Sequence, residues 1–290
     1  MKKIYICTTF RDFVGSDNDD IQKLFLKSIQ EQTYQNYEVV VTTFGEKNVE
    51  SVVRSYFPTK SRFINVHLEK YRYSLSDVVI NGVNAALEDA GSILVWSTGD
   101  VIWDKNMLEE IAKYYKPGFS GICHPNIVST TINNYQAGKY EVFPIYRGID
   151  FMFFDAELFR NKKIYGYLDR FRFYEWGAFE QFLAGIAEVA SDTRINVFPV
   201  GKVYKIENNR AVNNETIEYL RKSGKSNKRV MNRFILVAKL SKGINKLEYC
   251  HHLYKPVKWN RILMLKRMEM KWNSFLKKIR SICVGKVCIK

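Results

Sequence analysis

The first 115 residues alternate short apolar, β-branched runs with amphipathic stretches of helical period, and this alternation narrows the fold more than any other feature. Ile4–Thr9 reads as a buried strand, and Asp19–Gln32 as a helix with Ile21, Leu24, Phe25 and Ile29 on one face and Asp19 and Asp20 at its positive N-terminal end. Tyr37–Thr43 is a β-branched strand, and Val49–Phe57 a short helix ended by Pro58. Arg62–Leu68 reads as a strand, Leu75–Ala90 as a helix closed by Gly91, and Ser92–Ser97 as an apolar strand. Asp104–Tyr115 is a further helix, stopped by Pro117-Gly118. Such a pattern predicts a Rossmann-like α/β fold: a mainly parallel, doubly wound sheet flanked by helices, with ligands at the carboxyl ends of its strands.

The pattern then becomes mixed. Phe119–Asn126, Val142–Phe154, Ile195–Val200 and Lys202–Ile206 read as strands, Ala156–Asn161 and Trp176–Val189 as helices. A polar stretch, Glu207–Thr216, follows. The expected organisation is one domain over 1–215, with halves at 1–115 and 116–215, and an extension over 216–290.

Charge separates the same two parts. Residues 221–290 hold 20 Lys/Arg against Glu248 and Glu269, which leaves 25 basic and 28 acidic residues in 1–220. The body is near neutral and the extension carries the whole excess of +15, so the extension is expected to meet an anionic partner. Within Trp259–Cys283, Leu265, Met268, Trp272, Phe275, Leu276, Ile279 and Ile282 recur at helical spacing among lysines and arginines. That is the composition of a basic amphipathic helix at a membrane interface, with anionic lipid contributing roughly 1 kcal/mol per basic residue. The aromatic stripe and the clean split of charge favour lipid, so nucleic acid is not an expected partner. No apolar run of about 18 residues exists, so no transmembrane helix is predicted. The N-terminal apolar run is short and lacks a small-residue cleavage site, so it reads as a strand rather than a signal peptide. Five scattered cysteines without a CxxC read as reduced thiols, and Cys250-His251-His252 is no metal cluster, since adjacent helical histidines point different ways.

Ser28-Ile29-Gln30-Glu31-Gln32-Thr33-Tyr34-Gln35-Asn36-Tyr37-Glu38, running into Val39-Val40-Val41, resembles the helix-to-strand segment of family-2 glycosyltransferases, which have the GT-A fold. Ser28, Gln32, Thr33, Tyr34, Asn36 and Glu38 carry the match, and they are expected to set the helix–strand turn. The resemblance covers residues 1–210. It implies that a nucleotide-diphosphate sugar lies against the first strand end, Thr8-Thr9-Phe10-Arg11, and the second, Thr42-Thr43. The family has Asp-Asp-Gly-Ser at the latter place, and hydroxyls stand here instead.

Gly91-Ser92-Ile93-Leu94-Val95-Trp96-Ser97-Thr98-Gly99-Asp100 resembles the family's strand ending in D-x-D, with Thr98 at the first Asp and Asp100 at the second. The resemblance implies that Thr98, Gly99 and Asp100 touch the donor, and that Asp100 holds the divalent cation, Mg²⁺ or Mn²⁺, that meets the diphosphate. On the acceptor side the family's Glu-Asp pair corresponds to Glu175-Trp176, with Glu180 on the following helix. An inverting transferase needs a general base, so Glu175, or else Glu180, is the expected catalytic carboxylate, and Trp176 would stack on the acceptor sugar. Many GT-A enzymes take another metal ligand from a late loop. Lys205-Ile206-Glu207-Asn208-Asn209-Arg210 has no His there, and Lys205 or Arg210 can instead contact the diphosphate.

The function expected from these residues is sugar transfer to a saccharide or lipid-linked saccharide in bacterial surface polysaccharide or lipopolysaccharide assembly. The protein would be cytoplasmic and peripheral on the inner face of the membrane. The alternative is a non-catalytic GT-A-like domain that binds sugar or a partner, which the thinned carboxylate motifs would suit.

Overall fold

The computed structural model describes residues 2–15, 17–67, 74–115, 126–139, 151–162, 165, 166, 168 and 201–206. The chain opens with β1 (Ile4–Thr8), α1 (Asp17–Gln30), β2 (Tyr37–Thr43), α2 (Val49–Tyr56), β3 (Ser61–Asn65), α3 (Leu75–Ala86), β4 (Ile93–Ser97), β5 (Val101–Trp103) and α4 (Met107–Tyr114). It continues with β6 (Asn126–Thr130), α5 (Ile132–Gln136), β7 (Phe151–Asp155), a 3-10 turn (Ala156–Arg160) and β8 (Lys202–Ile206).

The larger sheet has the order β3-β2-β1-β4-β7. β1 runs parallel to β2 and β4, β2 parallel to β3, and β7 antiparallel to β4. All five residues of β1 and of β4 are buried, as in a strand covered on both faces. Alternation divides them between two cores. Ile6, Val39, Val41 and Val95 pack with Phe25 and Ile29 of α1, Val53 of α2 and Leu108 of α4. Cys7, Val40, Leu94 and Trp96 pack with Val79 and Val83 of α3 and with Phe159. The second sheet, β5-β8-β6, is antiparallel between β5 and β8 and parallel between β8 and β6.

The reversal of strand order positions the site. The chain steps from β1 outward to β2 and β3, then crosses back through α3 to β4 on the other side of β1. The carboxyl ends of β1 and β4 therefore flank a topological switch point, where open α/β sheets bind ligands. The crossing depends on Gly82 in α3: a Cβ there would lie 2.3 Å from Cys7 Cβ, so α3 can seat against β1 only without a side chain at that position. Burial also pushes the Cys7 thiol up, which keeps it neutral and unreactive.

Several boundaries differ from the sequence reading. The helix predicted to reach Ala90 ends at Ala86, because the Glu88 and Asp89 amides donate three residues back, to Ala85 and Ala86, and Gly91 turns the chain at φ +68°. The helix predicted from Asp104 starts at Met107, since the Asp104 carboxylate accepts from the Lys202 amide at 2.9 Å and its carbonyl from the Met107 amide. The predicted helix at Ala156–Asn161 is the 3-10 turn. β5 and α5, of three and five residues, went unpredicted because neither spans enough residues to show a period. Lys202–Ile206 is a strand as predicted, and β7 overlaps the end of the predicted Val142–Phe154 and runs one residue beyond it. The predicted helix Trp176–Val189, the strand Ile195–Val200, nearly all of Phe119–Asn126 and the basic extension lie outside the described residues. Among the described residues no helix is long and apolar enough to cross a membrane.

Candidate active site

Three strand ends meet at the carboxyl edge: Thr8–Arg11 after β1, Thr42–Thr43 at the end of β2, and Thr98–Asp100 after β4. The first two are tied by the Thr9 hydroxyl, which donates to the Thr42 carbonyl at 2.7 Å. Asn81 of α3 donates to the Thr42 hydroxyl at 3.1 Å. The first and third are pressed together: a Cβ on Gly99 would lie 3.1 Å from the Thr9 carbonyl oxygen and 3.3 Å from the Phe10 ring. Gly99 thus permits the close approach of β4 to β1.

The predicted donor-binding residues divide by exposure. Thr8, Phe10 and Thr42 are buried, while Thr9, Thr43, Thr98, Gly99 and Asp100 are half-buried and Arg11 is exposed. The Phe10 ring lies in the core against Phe13 and Phe25, with centroids 6.1 and 5.7 Å away, so this residue offers a ligand its backbone rather than its ring. The Arg11 turn is fixed by Gln22 of α1, whose Oε1 accepts from the Arg11 amide at 2.8 Å.

Asp100 stands at the entry to β5, and its Oδ2 accepts from Lys205 Nζ of β8 at 2.6 Å. The Ile206 amide donates to the Asp100 carbonyl, so the backbone of β8 registers this pair. Among the described residues, Asp100 Oδ1, Thr98 Oγ1 and Thr8 Oγ1 are buried with no hydrogen-bond partner. Unsatisfied buried oxygens are uncommon, and two of these lie in one three-residue turn, the mark of a site that a ligand completes.

The donor set can be tested against a divalent cation. Mg²⁺ and Mn²⁺ take several oxygen ligands, with carboxylates foremost. Among the described residues no three His, Cys, Asp or Glu side chains come together to hold a metal. The carboxylate at the turn already carries an ammonium at 2.6 Å. A divalent ion on that carboxylate about 4 Å from the ammonium would be repelled by about 8 kcal/mol at an effective dielectric of about 20. The described residues therefore do not fit the divalent metal expected at Asp100 unless Lys205 leaves.

The Ser28–Tyr34 motif does more than set the turn after α1. Gln32, almost wholly buried, donates through Nε2 to the carbonyls of Ser28 and Asp104, both at 2.8 Å, and accepts through Oε1 from the Leu108 amide at 2.9 Å. The Ser28 hydroxyl accepts from the Trp103 amide at 3.2 Å. The Thr33 amide donates to the Lys105 carbonyl at 2.9 Å, and its hydroxyl to Glu109 at 2.8 Å. Every one of these partners beyond the motif lies between Trp103 and Glu109, in β5, in α4 or in the turn that joins them, directly after Asp100. The motif is the brace that holds the Asp100 segment, a role its local pattern does not reveal.

Glu46 is another residue that the sequence reading passed over. It follows the second strand end, and its Oε2 accepts from the Phe44 amide at 2.6 Å. Burial raises its pKa against the pull of the Phe44 and Glu46 amides, and the nearby Asp12 charge adds to the rise. Its acidity one residue beyond Thr42–Gly45 was the available signal. Glu175, Trp176, Glu180 and Arg210 lie outside the described residues. A hollow of 570 Å³ lined by Leu87, Phe159, Arg160, Lys162, Tyr165 and Gly166 sits at the opposite, amino edge of the sheet and takes no part in this site.

A doubly wound sheet with a polar switch point and one antiparallel edge strand is the GT-A class of nucleotide-sugar-binding folds. The sequence profile of glycosyl transferase family 2 matches residues 21–183, more than half of the chain, and the chain belongs to that family. No curated protein matches it. Among solved structures, residues 1–349 of TarS from S. aureus superpose with a TM-score of 0.58 at 13% identity, covering 87% of this chain and 70% of that one. The same TarS piece in complex with UDP-GlcNAc gives 0.50 at 14% identity, over 72% and 60%. GalNAc-T7 with UDP, GalNAc and Mn²⁺ gives 0.52 at 13% identity, over 89% and 56%. At such identities the likeness concerns the fold, and the chain spans 37% of the longest TarS chain it matches.

Proposed function

We propose that this chain transfers a sugar from a nucleotide-diphosphate sugar to a saccharide or lipid-linked saccharide acceptor. The observation that carries the reading is the pair of unsatisfied buried oxygens, on Thr98 and Asp100, at the switch point of a family-2 fold. The donor's diphosphate would lie along the β1 and β4 ends, with its nucleoside toward Thr43 and Glu46. UDP is the first nucleotide to test, because TarS was solved with UDP-GlcNAc and GalNAc-T7 with UDP.

The acceptor side belongs to Glu175, with Glu180 as the second candidate base and Trp176 as the stacking ring. In the transfer, the acceptor oxygen bonds to C1 of the donor sugar while its proton passes to the carboxylate. The bond from C1 to the diphosphate oxygen breaks, its electron pair leaves with the nucleoside diphosphate, and the anomeric centre inverts. A divalent metal at Asp100, as the sequence suggested, would have to displace Lys205, and no step here runs through one. Assembly of bacterial surface polysaccharide at the inner face of the membrane is the setting that the family and the basic extension support together.

Thermal shift against a panel of nucleoside diphosphates tests the reading: UDP should raise Tm by mass action, and failure of every nucleotide to do so would remove the transferase assignment. For the extension, deletion of 216–290 should release the protein from anionic vesicles in a sedimentation assay and leave nucleotide binding intact. Unchanged sedimentation would refute the membrane role.

A further inference from the structure

We infer that Lys205 supplies the positive charge for the donor's diphosphate, so that nucleotide binding at this site needs no divalent metal. The inference rests on the transferase reading above and concerns how that site meets its anionic ligand. Three observations carry it. First, Lys205 Nζ sits 2.6 Å from the carboxylate that would otherwise hold the cation. Secondly, both side chains are partly open to solvent, at 26% for Lys205 and 29% for Asp100, so the ammonium is within reach of a ligand. Thirdly, Thr98 occupies the position of the first acid of the D-x-D motif, so a hydroxyl stands where a second carboxylate would help to hold a divalent ion.

The charges are consistent. Two carboxylates attract a divalent ion, whereas an ammonium held beside a single carboxylate offers an anion a placed donor. An ammonium has three N–H groups. One meets Asp100, and a phosphate oxygen is a fitting further acceptor for an ammonium because charge-assisted bonds of this kind are short and strong. β8 supplies the placement: Lys205 is opposite Val101 in the antiparallel register, one residue past Asp100, so the lysine is delivered by a strand rather than by a loose loop.

The test is calorimetric titration of UDP into the full-length protein with EDTA and with Mn²⁺, beside Lys205→Ala and Lys205→Arg. For the unaltered protein the UDP dissociation constant should change less than about threefold between EDTA and Mn²⁺. Lys205→Ala should weaken UDP binding in EDTA by about 10–100-fold, the loss of one charge-assisted hydrogen bond, and Lys205→Arg should restore most of it. Mn²⁺ should then recover part of the affinity of Lys205→Ala, because Asp100 has lost its cation. A melting curve for each variant separates this from loss of fold. UDP binding that needs Mn²⁺ in the unaltered protein, or that survives Lys205→Ala in EDTA, overturns the lysine's role while leaving the transferase reading standing. Absence of UDP binding under every condition overturns both.

Discussion

Replacing Asp100 with alanine should reduce sugar transfer by about 10³-fold, while UDP affinity falls far less. Asp100 presents one oxygen to Lys205 and leaves the other, Oδ1, buried without a partner. Alanine removes both. Lys205 stays near the diphosphate but loses its direction, so ground-state binding suffers less than the reacting geometry does. The ion pair is partly solvated, so its loss should cost little stability. A variant with unchanged melting, a nearly unchanged UDP dissociation constant and a collapsed kcat is the expected result. Full transfer activity in Asp100→Ala would show that the reaction occurs elsewhere or that the assay measures another protein.

Gln32→Leu should be the most destabilising single change in the brace. The side chain is 1% exposed and makes three hydrogen bonds to three separate backbone groups. Leucine has similar volume, so no large cavity forms, but the Leu108 amide and the Ser28 carbonyl lose their side-chain partner, while the Asp104 carbonyl keeps the Met107 amide. At about 1–3 kcal/mol for each stranded group, the loss should total about 3 kcal/mol, visible in urea denaturation as a lower midpoint with an unchanged slope. Because Gln32 ties the end of α1 to α4 and to the turn before it, directly after Asp100, activity at a temperature where the variant is still folded should fall as well. Ser28→Ala, which removes the 3.2 Å contact from the Trp103 amide and the 2.7 Å bond to the Phe25 carbonyl, should cost about 1 kcal/mol and provides the graded control. Equal stability of Gln32→Leu and the unaltered protein would show that the brace is redundant.

Much of the sheet was legible because parallel strands covered on both faces must be apolar throughout: β1, β2 and β4 stand out as uninterrupted runs such as Tyr37–Thr43. The helices of the first half were legible from their period, and their ends less so, because tightening at Glu88 and diversion of Asp104 depend on partners far away in sequence. The second sheet was hidden. β5 has three residues, and it is a strand only because β8, about 100 residues later, lies against it. The strand ends singled out in the sequence lie together at the switch point, but the placement of each side chain was not readable. Nothing local distinguishes Phe10, folded into the core, from Arg11, left in solvent. The pairing of Asp100 with Lys205 likewise joins two unremarkable residues separated by 105 positions. Each had been considered separately, one as a metal ligand and one as a phosphate contact, and their contact makes the first of those roles depend on the second.

The brace also bears on how such proteins can be re-engineered. Residues 28–33 and 103–109 form one mechanical unit although more than 70 positions separate them. A chimera that imports only the 98–109 segment from a sister transferase, in order to change its donor, would bring a loop whose anchor remains in the recipient's first helix. Donor exchange within this fold should therefore succeed when the helix end and the loop travel together, and produce poorly folded hybrids when either travels alone.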